Sequence, residues 1–158
     1  VSESPTPAEG EEAPERSDRG LDPTSEALAE ALRAEHAAVH GFEFIGGAAG
    51  DEDRRERASA AIYQHKALRD VLREAAVERG LEAPPALASY PIPQGREGAD
   101  MDAFAAGLEG AAMEAYLWLA SSPDTDLRVT AVRALQEATV RSLRWGAELD
   151  VLPGFGSP

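Results

Sequence analysis

"EAPPALASYPIPQGREGA" (82–99) is long and carries four prolines, and it has neither helical nor strand periodicity. In an extended, polyproline-like path at ~3.1 Å per residue it can run the ~30 Å length of a 20-residue helix. A connector of that reach allows the elements on either side of it to lie parallel, where a short loop would force them to be antiparallel neighbours. Its reading therefore decides the topology.

On both sides of this segment the punctuation marks helices. Asp22-Pro23 supplies an N-cap and a first-turn proline, and the apolar pattern runs to the glycines at 46, 47 and 50, giving a helix over about 22–46. The acidic cluster Asp51-Glu52-Asp53 suits a helix N-terminus, and Gly80-Leu81 suits a Schellman stop, giving a second helix over about 52–79. Asp100 opens a third over about 100–121, and Ser122-Pro123-Asp124 opens a fourth over about 123–149. No stretch alternates as a half-buried strand would. The expectation is an all-α fold, a four-helix bundle of two antiparallel hairpins joined by a long crossover loop.

At about 100° per residue, each helix face can be read by spacing. Glu35 falls in the stripe of Leu28, Leu32, Val39 and Phe42, with His36 on its border and His40 further round towards water. On the second helix His65 sits at the centre of the stripe Ala58, Ala61, Leu68, Leu72 and Ala76, with Arg69 one turn on. Glu109 and Tyr116 share the inward side of the third helix, and Arg141 lies at the edge of the inward side of the fourth, with Glu137 beside it. Unpaired buried charges cost several kcal/mol, so these groups are expected to meet. The expected network is Glu35, His65, Arg69, Glu109, Tyr116 and Arg141, with His36 and Glu137 as outer members.

The composition narrows the function classes. The chain has 158 residues, enough for one domain, with 29 acidic against 15 basic residues and a net charge of −14. That charge disfavours nucleic acid and anionic membrane surfaces as partners. The absence of cysteine removes disulfides, thiolate metal sites and cysteine nucleophiles. No run approaches the ~20 apolar residues of a membrane span, and no signal-like start is present, so the expected location is cytoplasmic. Residues 1–21 are rich in Pro, Glu, Ser and Gly and are expected to form a disordered acidic tail; residues 151–158 form a C-terminal tail, leaving 22–150 as the domain.

The stretches "EHAAVHGFEFIGGA" (35–48), "HKALRDVL" (65–72), "LEGAAMEAYLWL" (108–119) and "AVRALQEATVRSLRW" (131–145) resemble a bacterial ferritin-like domain family of uncharacterised function, over roughly residues 24–150. The resemblance implies a ferritin-like bundle. Di-iron sites in that superfamily use a Glu from each of two helices and a Glu-x-x-His pair from each of the other two. Glu35 and Glu109 match such ligands, but the second helix reads Ile62-x-x-His65 and the fourth Glu137-x-x-Val140. Arg69 and Arg141 bring permanent positive charge towards the same region and can satisfy carboxylates through paired hydrogen bonds.

The expectation is a non-redox binding or structural protein without a cofactor, in which a Glu/His/Arg network replaces the metals; an enzyme is the less favoured reading. The alternative is a degenerate metalloprotein, mononuclear or di-iron, holding iron, manganese or zinc on Glu35, His65, Glu109 and Glu137 and doing oxidation or metal handling. Phe44, Leu117, Trp118, Val129, Val132 and Leu143 fall outside the core stripes, which points to a homodimer. The small residues of "AAGLEGAA" (105–112) permit close helix approach or leave room for an unidentified small ligand beside Glu109.

Overall fold

The computed structural model describes residues 22–148. The expected tails at 1–21 and 151–158 lie outside the described residues. Four helices, α1 (Pro23–Ala48), α2 (Glu52–Glu78), α3 (Gly98–Leu119) and α4 (Thr125–Arg144), make up the architecture, and there is no strand among the described residues. None of these helices is long and apolar enough to cross a membrane.

The helix ends follow from local chemistry. The side chains of Asp22, Asp51 and Asp124 accept from backbone N–H groups in the first turns of α1, α2 and α4. At α3 the side chain of Asp100 reaches back to the Glu97 N–H at 3.2 Å, so the helix begins at Gly98, a little before the expected start. Gly80, at φ +63°, stops α2, and the Leu81 N–H closes the turn on the Ala76 carbonyl at 2.9 Å. The same device stops α4 earlier than the expected end near 149: Gly146 takes φ +85° and the Ala147 N–H bonds the Ser142 carbonyl at 3.1 Å.

Side-chain pairs fix how the helices run. Arg54, near the start of α2, forks onto Asp102, near the start of α3, with both bonds at 2.8 Å. Arg79, just past α2, forks onto Asp124 at the head of α4, at 2.7 and 3.2 Å. Thr24 at the start of α1 meets Ser122, beyond the end of α3, at 3.1 Å. Near the opposite end of α1, a Cβ added to Gly41 would collide with the Leu108 side chain of α3, so glycine permits the approach of these two helices. Together these contacts set α1 antiparallel to α3, and α2 parallel to α3 and antiparallel to α4.

The segment over 82–99 is held along α1 at successive turns of that helix. The ring Nε2 of His36 lies 3.1 Å from the Pro84 carbonyl, the His40 ring lies 5.1 Å from that of Tyr90, and the Arg96 guanidinium stands 4.8 Å over the Phe44 ring. His36, His40 and Phe44 recur every four residues, so they share one face of α1. His40 and Phe44 thus meet the connecting segment, where the sequence reading had placed them towards water and a second copy.

Two apolar clusters fill the interior. One gathers Leu28, Leu32, Leu72, Tyr116, Leu119 and Leu127; the other gathers Phe42, Ile45, Ala58, Met101, Ala105 and Trp145. Each fully buried large side chain contributes about 1.5–3 kcal/mol. Between the clusters lies a polar layer.

Candidate functional site

Each helix delivers a group to that layer: Glu35 from α1, His65 from α2, Glu109 and Tyr116 from α3, and Arg141 from α4. Glu35, His65, Glu109 and Tyr116 are 0% exposed and Arg141 6%. Glu35, His65 and Glu109 sit mid-helix in otherwise apolar stripes, so packing those stripes forces them inward, and Tyr116 and Arg141 reach them from the last turns of α3 and α4.

His65 occupies the centre. Its Nδ1 lies 2.6 Å from Glu35 Oε2 and its Nε2 lies 3.1 Å from Glu109 Oε1, so each ring nitrogen faces a carboxylate. Carboxylates accept only, so full satisfaction of both contacts requires an N–H on each nitrogen, which is the imidazolium form. Burial alone would drive the His65 pKa down, but the bonds to Glu109 and Glu35 and their charges outweigh it and raise the pKa to about 9. Arg141 Nε donates to the same Glu109 Oε1 at 2.8 Å, and the Tyr116 hydroxyl donates to Glu35 Oε1. Desolvation and the Glu35 charge push the Tyr116 pKa well above its usual value, keeping the phenol neutral and a donor. Two carboxylates, one imidazolium and one guanidinium sum to zero charge. Glu109 Oε2 and Arg141 Nη2 are buried without a hydrogen-bond partner.

Arg69 does not join this layer. It is partly exposed and turns along α2 to Asp70, with Nε to Oδ1 at 2.9 Å, because its stem lies at the edge of the stripe and its length lets the guanidinium reach water. Glu137 is exposed on the flank of α4. His36 is buried but serves the connecting segment: burial lowers its pKa, and the neutral ring donates through Nε2–H to the Pro84 carbonyl. Among the described residues no group of three or more His, Asp or Glu side chains has the spacing to hold a metal ion.

The layer is closed to solvent. A groove of about 430 Å³ opens between α2 and α4, walled by Tyr63, Leu68, Val71, Arg133, Ala134 and Glu137, and it does not reach the charged layer. Arg141 borders a cavity of about 60 Å³ that it shares with Arg57, Gln64, Arg144 and Trp145. The sequence reading missed the residues that tie the layer's surroundings together. Arg54 and Arg79 carry no spacing signal in the sequence beyond their position at the two ends of α2.

The family model described as Domain of unknown function (DUF4439) matches residues 27–157. A solved structure is similar in fold, the crystal structure of a conserved hypothetical protein, rv2844, from Mycobacterium tuberculosis. It superposes with a TM-score of 0.74 at 29% sequence identity, covering 78% of this chain and 95% of that one. No curated protein matches the chain.

Proposed function

This chain belongs to the family described as Domain of unknown function (DUF4439), and we propose that it is a ferritin-like bundle whose interior charge network replaces a di-iron site, working as a non-redox binding or structural protein. The parallel course of α2 and α3, with the connecting segment laid along α1, supports the ferritin-like assignment. The partner is a second copy of the chain.

One observation carries the reading: His65 is clamped between Glu35 and Glu109 by both ring nitrogens. A metal-bound imidazole must offer a ring lone pair, and here each nitrogen is spent on a carboxylate. The guanidinium of Arg141, 2.8 Å from Glu109, supplies a fixed positive charge of the kind a cation would otherwise provide. Ile62 and Val140 stand where a further carboxylate and imidazole belong, and Glu137 is exposed. These residues, as arranged, do not fit iron, manganese or zinc. The enclosure of the layer also argues against a substrate reaching it.

Nitrogen-15 NMR of the full chain tests this directly. Both His65 ring nitrogens should keep imidazolium shifts at pH 8, and protein incubated with iron, manganese or zinc and then desalted should carry no stoichiometric metal. Bound metal that disappears in Glu35→Ala or His65→Ala would overturn the reading.

A further inference from the structure

Helix α4 is apolar on two opposite sides. Its inward side buries Leu127, Ala131, Ala134 and Ala138 against the core. About 180° away, Val129, Val132, Val140 and Leu143 are 54%, 45%, 50% and 41% exposed. A helix that displays a second apolar stripe in water marks an interaction face.

The spacing of that stripe identifies the partner. Val129 and Val132 stand seven and four residues before Gln136, and Val140 and Leu143 stand four and seven after it. A stripe symmetric about its midpoint matches itself when run in reverse: in an antiparallel pair centred on Gln136, Val129 of one copy meets Leu143 of the other, Val132 meets Val140, and the two Gln136 side chains meet on the axis. The flanking charges match as well. Asp126, Arg133, Glu137 and Arg144 are all exposed on the same flank of the stripe, and none of them forms an ion pair among the described residues. At 1.5 Å of rise per residue, the same axis brings Arg133 within ~3 Å along the helix of Glu137 in the second copy, and Arg144 equally close to its Asp126. Each of these two pairs is opposite in sign and occurs twice, and the two Glu137 side chains, themselves ~3 Å apart along the axis, are each flanked by an Arg133 of the other copy.

We propose that a second copy of this chain docks on the outer face of α4, antiparallel about a two-fold axis at Gln136. The contact is isologous, as the closed dimers of most homo-oligomers are. It rests on the reading of the bundle as a protein whose partner is its own copy, and it specifies the surface.

The full chain tests this by sedimentation over about 1–200 µM, bracketing the micromolar association expected of an interface one helix wide. A dimer is expected, with Val132→Glu monomeric at the same concentrations. Since Val132 is exposed, that variant keeps the wild-type circular dichroism. Arg133→Glu should weaken the dimer about tenfold, and adding Glu137→Arg should restore it. The chain contains no cysteine, so Gln136→Cys should oxidise to a covalent dimer while Glu114→Cys, exposed on α3, does not. A chain monomeric throughout, or a dimer indifferent to Val132→Glu and uncrosslinked at position 136, overturns the proposal. So does a monomer in which Val132→Glu exposes residues 149–158 to protease, which would assign the stripe to the chain's own end. A monomer whose His65 remains doubly protonated sinks the seam alone; a dimer that binds metal through His65 sinks the preceding reading alone.

Discussion

Nδ1 of His65 lies 2.6 Å from Oε2 of Glu35, with both side chains wholly out of water. A contact of this kind between oppositely charged groups is strong only while both remain ionised. The state of the His65 proton therefore governs how well the two apolar halves of the core are held together.

The folded chain binds that proton more tightly than the unfolded chain, with a pKa of about 9 against 6.5. The stabilisation is fully present below pH 6.5, declines as pH rises through the window between the two values, and is gone above about 9. Its size is on the order of 3 kcal/mol. Urea unfolding at pH 6, 7.5 and 9.5 should show the decline in the wild type and no decline in His65→Gln, where the lowered pKa of His36 leaves only a rise between pH 6 and 7.5.

Tyr116→Phe removes the one side-chain donor that Glu35 Oε1 has among the described residues while keeping the ring that fills the core. A buried carboxylate oxygen is left unpaired, at a cost of about 1.5–3 kcal/mol. Thermal unfolding should drop accordingly, with no change in the far-ultraviolet circular dichroism.

The two arginines expected in the interior should behave differently. Arg141→Met leaves the buried Glu35 and Glu109 with the His65 imidazolium as their one shared cation and should cost about 3–5 kcal/mol. Arg69→Met loses only a partly exposed pair with Asp70 and should cost less than about 1 kcal/mol. Equal losses in chemical denaturation would place Arg69 in the buried layer after all.

His36→Leu keeps the bulk of the side chain but removes the donor to Pro84. The connecting segment should then open more often without the bundle unfolding. Faster amide exchange and new protease cuts within 82–99, with global stability reduced by only about 1 kcal/mol, are the expected result.

Helix number, and every helix end except that of α4 to within a turn, were legible because caps, prolines and 3.6-residue periodicity are local. Asp22-Pro23, Gly80 and Asp124 announce their ends in the residues themselves. Gly146 was passed over because a glycine amid helix-favouring neighbours gives no local sign of the left-handed turn it adopts. Arg69 was misplaced for a related reason: a stripe-edge position fixes where the stem leaves the helix, but a long side chain chooses between the interior and water according to what awaits it there.

The sequence by itself determined that each helix would turn a polar group inward, since an apolar stripe cannot be buried without carrying along whatever lies at its centre. Only the tertiary structure decided how those groups meet. His65 lies level with both glutamates, and Arg141 reaches one of them, because helix rotation and axial register are set by long-range packing. The histidines of "AEHAAVH" (34–40) answer to the same cause: their roles depend on a segment that returns from far along the chain to lie against them.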